Sequence, residues 1–263
     1  MMDVIKQQVD SFPEAERLHR LREALQVLIL KSLYDNDLLA NLGFVGGTAL
    51  RLIFNLRRFS EDLDFSLVKK EGYSFSKLKE TLDYQLRKYG FSAQLAFDES
   101  KTVNSAMIKF ENILYALGLS PLKSQKIAVK LEVDTNPPPG YLLEMAAVNN
   151  LYLVTVTHYD LTSLYASKLH ACFFRKYTKG RDYYDLLWYL GKQIQPNFIL
   201  LNNAIKQTQG KDYGLDAQNL NTFLREHVSG VDFVKVRDDV GRFLVDKREL
   251  ALLEKETFLK VIR

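Results

Sequence analysis

Between Pro13 and about Asp35 apolar residues recur at helical spacing, with Leu18, Leu21, Leu25, Leu28, Ile29 and Leu33 on one stripe. Pro13 suits a helix start, where its missing N–H costs nothing. The period then shortens. "LGFVGG" reads as a short buried strand ending in a glycine turn, "TALRLIFNL" as a helix and "EDLDFSLV" as a second strand. "SFSKLKETLDYQLRKYG" is an amphipathic helix with Gly90 placed to cap its C-terminus. Three strand-like runs follow, "FSAQLAF", "SAMIKFENILYAL" and "QKIAVKLEVDT", and the turn-rich "GLSPLKSQ" between the last two predicts a hairpin with a long loop. After "NPPPG", "NNLYLVTVTHY" reads as one more strand.

From Asp160 onward the pattern is helical throughout. "DLTSLYASKLHACFFRKY", "RDYYDLLWYLGKQ", "NFILLNNAIKQT", "AQNLNTFLREHV", "VDFVKVRDDVGRFL" and "ELALLEKETFLKVI" all carry that period. The expected class is α+β: a mixed β-sheet core flanked by helices over residues 1–157, including the N-terminal helix, and an α-helical domain over 158–263.

Composition narrows the function classes only modestly. The 263 residues carry 36 Lys and Arg against 32 Asp and Glu, a net charge of +4, which permits a nucleic-acid partner without requiring one. A single cysteine, Cys172, forbids an intrachain disulfide and fits a reducing cytoplasm. The N-terminal "MMDVIKQQVDSFPEAERLHR" is too polar for a signal peptide, and no apolar run approaches the ~20 residues that span a bilayer, so no membrane association is expected.

The chemistry concentrates in "FVGGTALRLIFNLRRFSEDLDFSL". Gly46 and Gly47 between a strand and a helix let the backbone turn sharply and bring N–H groups near a phosphate, and Thr48 adds a hydroxyl there. Gly-Gly alone is more often a plain tight turn. Asp62 and Asp64 alternate with Leu63 and Phe65, so two carboxylates share one strand face. They repel one another unless water or a cation separates them, and phosphates held at the glycine turn could share Mg²⁺ with them. Either Arg57 or Arg58 is placed to orient an aspartate or meet a phosphate. A third carboxylate is available from "KIAVKLEVDT", where Glu132 and Asp134 share the face opposite Ile127, Val129, Leu131 and Val133. Glu132, deeper in the strand, is favoured; Asp134 stays open.

A second group lies in "SKLHACFFRKYTKGRDYYDLLWYL". Lys168 and Arg175, seven apart, are expected on one helix face, and Asp182 and Asp185 at the start of the next helix. Acids in a first turn commonly do no more than complement the helix dipole. His170 has no second His or Cys at ligand spacing, which favours packing over zinc binding.

"GGTALR", "RRFSEDLDF", "KLEVDTNPP" and "KLHACFFRKYTKGRDYYDL", in this order, resemble the AbiEii/AbiGii nucleotidyltransferase toxin family, which includes the MenT-like toxins. The resemblance runs from about Leu42 to Leu190 and implies a core like that of DNA polymerase β, followed by helices. It assigns triphosphate contacts to Gly46, Gly47 and Thr48, Mg²⁺ binding to Asp62 and Asp64, a phosphate contact to Lys168, and an active-site role to Asp182 or Asp185. Expected with these are two Mg²⁺ ions, helped by Glu132, and added charge neutralisation from Arg58 and Arg175. The implied reaction moves a nucleoside monophosphate from an NTP to a hydroxyl, by likeness on an RNA such as a tRNA 3′ end. A cognate antitoxin is the implied partner. The competing readings are nucleotidylation of a protein hydroxyl or phosphotransfer in the same pocket, and a nucleotide-binding regulator without catalysis.

Overall fold

The computed structural model describes residues 1–175 and 179–262, which fall into two units. The first comprises Met1–Asn55, Phe59–Pro137 and Glu144–His158; the second takes Leu56–Arg58, Pro138–Leu143 and the chain from Tyr159 on.

In the first unit, α1 (Met2–Asp10) is hidden from the sequence pattern because only Ile5 and Val9 are buried in it. α2 (Glu14–Tyr34) has Pro13 at its N-cap and buries Leu21, Leu25, Leu28, Ile29 and Leu33. Leu18, expected on the same stripe, is exposed: the buried face starts one turn later. β1 (Leu42–Val45) leads directly into α3 (Gly46–Phe54), which Asn55 ends in the left-handed conformation. β2 (Asp62–Leu67) follows, then α4 (Phe75–Lys88), whose first turn is capped by the Ser74 hydroxyl accepting the Lys77 N–H. Gly90, at φ +84°, closes the end of that helix as its position predicts.

The remaining strands are β3 (Ala93–Asp98), β4 (Val103–Phe110), β5 (Ile127–Asp134), β6 (Leu143–Asn149) and β7 (Leu153–Tyr159). "ENILYAL" does not continue β4 but forms a short helix, α5 (Ile113–Ala116). β6 was invisible in the sequence because its residues are almost all exposed, leaving no alternation to read; Val148 is its one buried side chain. The seven strands form one mixed sheet in the order β3-β4-β5-β2-β1-β7-β6. β2 runs parallel to β5 and antiparallel to β1, which places the acidic strand in the sheet interior between the glycine-turn strand and "KLEVD". Leu63, Phe65, Leu131 and Val133 point to one side and join Leu25, Leu28, Leu78 and Leu82 in a continuous core. The opposite side of the same two strands carries the charges.

The second unit is helical: α6 (Leu161–Phe173), α7 (Gly180–Lys192), α8 (Phe198–Gln209), α9 (Leu220–Ser229), α10 (Phe233–Val240) and α11 (Lys255–Val261). The helix expected to run through Tyr177 ends at Phe173; Lys176 and Tyr177 lie outside the described residues. The C-terminal run expected as a single helix divides into a 3₁₀ segment, Lys247–Leu252, and α11. Residues 56–58 belong here through a bridge from Arg58 to Leu244 and a hydrogen bond from the Val245 N–H to the Arg57 carbonyl. Among the described residues no helix is long and apolar enough to cross a membrane.

Candidate active site

In the sheet unit the glycine turn and the acidic strand meet. Gly46 has φ +76°, a conformation that strains any residue bearing a side chain. A methyl group there would lie 2.3 Å from Asp64 Oδ2, so the glycine leaves room that the carboxylate fills. Val45 pairs with Asp64 across the β1–β2 ladder, which fixes this approach through the backbone. The first N–H groups of α3 have no partner one turn back within the helix, a built-in preference for anions at this turn. Thr48 departs from expectation. It is fully buried, and its hydroxyl donates to the Asp62 carbonyl. The side chain proposed to meet a phosphate instead fastens the helix to the acidic strand.

β2 and β5 bring four charges onto one face. Asp62 lies opposite Lys130 and Asp64 opposite Glu132 in the parallel ladder, with Leu63, Phe65, Leu131 and Val133 buried behind them. Asp134 is one pair further along, opposite Ser66, and accepts the Asn136 N–H at 3.0 Å; burial raises its pKa. Register therefore makes Glu132, rather than Asp134, the neighbour of the aspartate pair. Glu132 is nevertheless not gathered into a three-carboxylate set. Lys130 Nζ stands 2.6 Å from Glu132 Oε1, and among the described residues no three Asp, Glu, His or Cys side chains converge as metal ligands. The hydrogen bond to Glu132 raises the Lys130 pKa against partial desolvation, and the charges of Asp62 and Asp64 add to the effect. Lys130 was present in the alternation of "KLEVD", two residues before Glu132 and on its face, but a lone lysine among acids reads as ordinary surface charge.

The donor set fits magnesium. It consists of hard carboxylate oxygens from adjacent strand positions, one of them seated in a cradle that only glycine leaves open.

The helical unit holds the second group of expected residues, joined by ion pairs. Arg58 donates to both Asp185 oxygens at 2.6 Å, Lys168 Nζ lies 2.8 Å from Asp185 Oδ2 and 2.9 Å from Asp182 Oδ1, and Arg175 pairs with Asp182. Arg175 is not on the Lys168 helix face, because α6 stops at Phe173; it reaches Asp182 from the following turn. Burial works against the Lys168 charge, but Asp182 and Asp185 outweigh it and hold the ammonium above its ordinary range. Burial would likewise raise Asp182, yet Lys168 and Arg175 bring it down to about 2. Arg57 is exposed and pairs with Glu249 at 3.2 Å. His170 stacks on Phe174 and hydrogen-bonds Thr208, the packing role its isolation suggests.

A mixed sheet with a glycine turn beside an Asp-x-Asp strand, followed by helices, is the architecture of a nucleotidyltransferase. The family model for the nucleotidyl transferase AbiEii toxin of type IV toxin–antitoxin systems matches residues 28–258, and the chain belongs to that family. Two solved structures share the fold. One, from H. pylori and provisionally described as a nucleotidyltransferase, is 20% identical with a TM-score of 0.56 and covers 92% of each chain. The other, JHP933 from Helicobacter pylori, is 20% identical with a TM-score of 0.52, covering 92% of this chain and 90% of that one. No curated protein matches the sequence significantly.

Proposed function

We propose that the chain transfers a nucleoside monophosphate from an NTP to a hydroxyl on RNA, with a tRNA 3′ end as the leading acceptor, in a magnesium-dependent reaction. The observation that carries this reading is the seat of Asp64 against Gly46, where an anion-seeking helix start and a metal-seeking carboxylate share one turn. The N–H groups at Gly46–Thr48 would receive the triphosphate, and Asp62 and Asp64 would hold magnesium, with Glu132 as the candidate third ligand once released from Lys130. Magnesium bound there supplies positive charge to the phosphate oxygens and lowers the pKa of the attacking hydroxyl. The acceptor hydroxyl gives its proton to solvent water, and its oxygen bonds to the α-phosphorus as the bond to pyrophosphate breaks. Lys168 and Arg175, each held by Asp182, are the cations proposed for nucleotide or RNA phosphates, while Arg58, expected to join them, is buried against Asp185 and is kept from that contact. The type IV toxin–antitoxin membership supports a cognate antitoxin and a cytoplasmic site of action.

The test supplies total cellular RNA, magnesium and each NTP labelled at the α or the γ position. Nucleotidyl transfer leaves α-label, and no γ-label, on an RNA species. Label on protein alone moves the acceptor to a protein hydroxyl; γ-label on the acceptor makes the reaction phosphotransfer.

A further inference from the structure

The lysine on the acidic face has no role in the proposed reaction. We propose that Lys130 is the resident counter-ion of the Asp62–Asp64–Glu132 face, and that a divalent cation binds there by displacing its ammonium from Glu132. The inference rests on the metal-site reading above and goes beyond it, because it makes metal binding a competition set by a residue of this chain.

Three observations carry it. Lys130 sits opposite Asp62 in the ladder, and two residues on, Glu132 sits opposite Asp64, so the lysine shares one patch with three acids. Its ammonium is already on Glu132 at 2.6 Å, the position a third metal ligand has to give up. The contact is also easy to release. Lys130 and Glu132 retain 36% and 30% of their side-chain exposure, so the ammonium can swing into water on its flexible stem. An ion pair of that exposure contributes little, and a divalent ion can outbid it. Strand β5 does not depend on the pair for its place, since Leu131 and Val133 are fully buried and both neighbouring strands are hydrogen-bonded to it.

The experiment titrates the full chain with Mn²⁺ in the absence of nucleotide, reading free ion by electron paramagnetic resonance. Lys130→Met and Lys130→Gln are expected to bind Mn²⁺ about fivefold more tightly than wild type, the upper range for one part-exposed ion pair. Lys130→Arg, which keeps the charge, is expected to stay near wild type. Equal or weaker binding in both neutral variants overturns the proposal. Asp62→Asn placed in the Lys130→Met background separates the two levels of argument. If it lowers Mn²⁺ binding while Lys130→Met alone has no effect, only the counter-ion role fails. If it leaves binding unchanged, the ion sits elsewhere and the metal-site reading fails with it.

Discussion

Arg58 and Asp185, 127 residues apart in sequence, form a two-point ion pair with both hydrogen bonds at 2.6 Å. Asp185 is fully buried and Arg58 nearly so, and Lys168 completes the carboxylate's coordination at 2.8 Å. A carboxylate so enclosed has no open side for a reacting atom. Its action on the neighbouring cations is to hold two of them in fixed positions, which makes it a positioning residue within the helical unit.

Removing one partner of a buried pair strands the other's charge, and the cost is large. Asp185→Asn is expected to lower unfolding stability by roughly 3–5 kcal/mol, read from urea or guanidinium midpoints. Arg58→Lys should recover only part of the wild-type stability, because an ammonium cannot span both carboxylate oxygens as the guanidinium fork does. A loss within the range of surface substitutions would show that the pair is not buried in solution.

The same cluster predicts a particular acid sensitivity. The Asp182 carboxyl is held at about 2 against its ordinary 3.8. A pKa depressed by folding contributes stability in full above the unfolded value, and the contribution is lost as pH falls through the folded one. Between about pH 4 and pH 2 this group alone should remove on the order of 2 kcal/mol. Asp182→Asn, less stable near neutrality, should show a shallower decline over that window. Denaturant midpoints measured across the window compare the two slopes.

How much of this was legible beforehand follows from the range of each signal. The α2 stripe and the Ile127–Val133 alternation are periodic, and periodicity survives in sequence. So do the glycines and the Asp-x-Asp pair, because residue type and spacing carry their chemistry. Three things were not local. β6 lacked alternation because its residues are nearly all exposed. The partner of Asp185 was one of two adjacent arginines, and only the fold distinguishes buried Arg58 from exposed Arg57. The Thr48 hydroxyl looked outward by type but turns inward, since α3 packs on β2 and the Asp62 carbonyl lies within its reach.

Gly46→Ala tests the glycine turn through two separable penalties. The first is a positive φ; the second is the 2.3 Å approach to Asp64 Oδ2. Gly90 shares the first penalty, with φ +84°, but an added methyl there meets nothing within 4 Å. Gly90→Ala should therefore cost about 1 kcal/mol and leave nucleotide transfer intact. Gly46→Ala should cost more and also depress transfer, because relief of the clash moves the carboxylate. Equal stability losses with equal activity would sink the claim that Asp64 depends on that glycine.

Asp62→Asn is the most direct trial of the proposed chemistry. The substitution is nearly isosteric and lies at a half-buried strand position on the charged face, away from the core formed by Leu63 and Phe65. The Asp62 backbone carbonyl that accepts the Thr48 hydroxyl is untouched, so the link between helix and strand persists. Stability should stay within about 1 kcal/mol of wild type, the range usual for a near-isosteric change at a part-exposed position. Transfer of α-label to RNA should fall by a factor of about 10² or more, the loss expected when a group that supports transition-state charge is removed. Retention of full transfer by a folded Asp62→Asn chain, assayed with magnesium and all four NTPs, would take the acidic strand out of the mechanism.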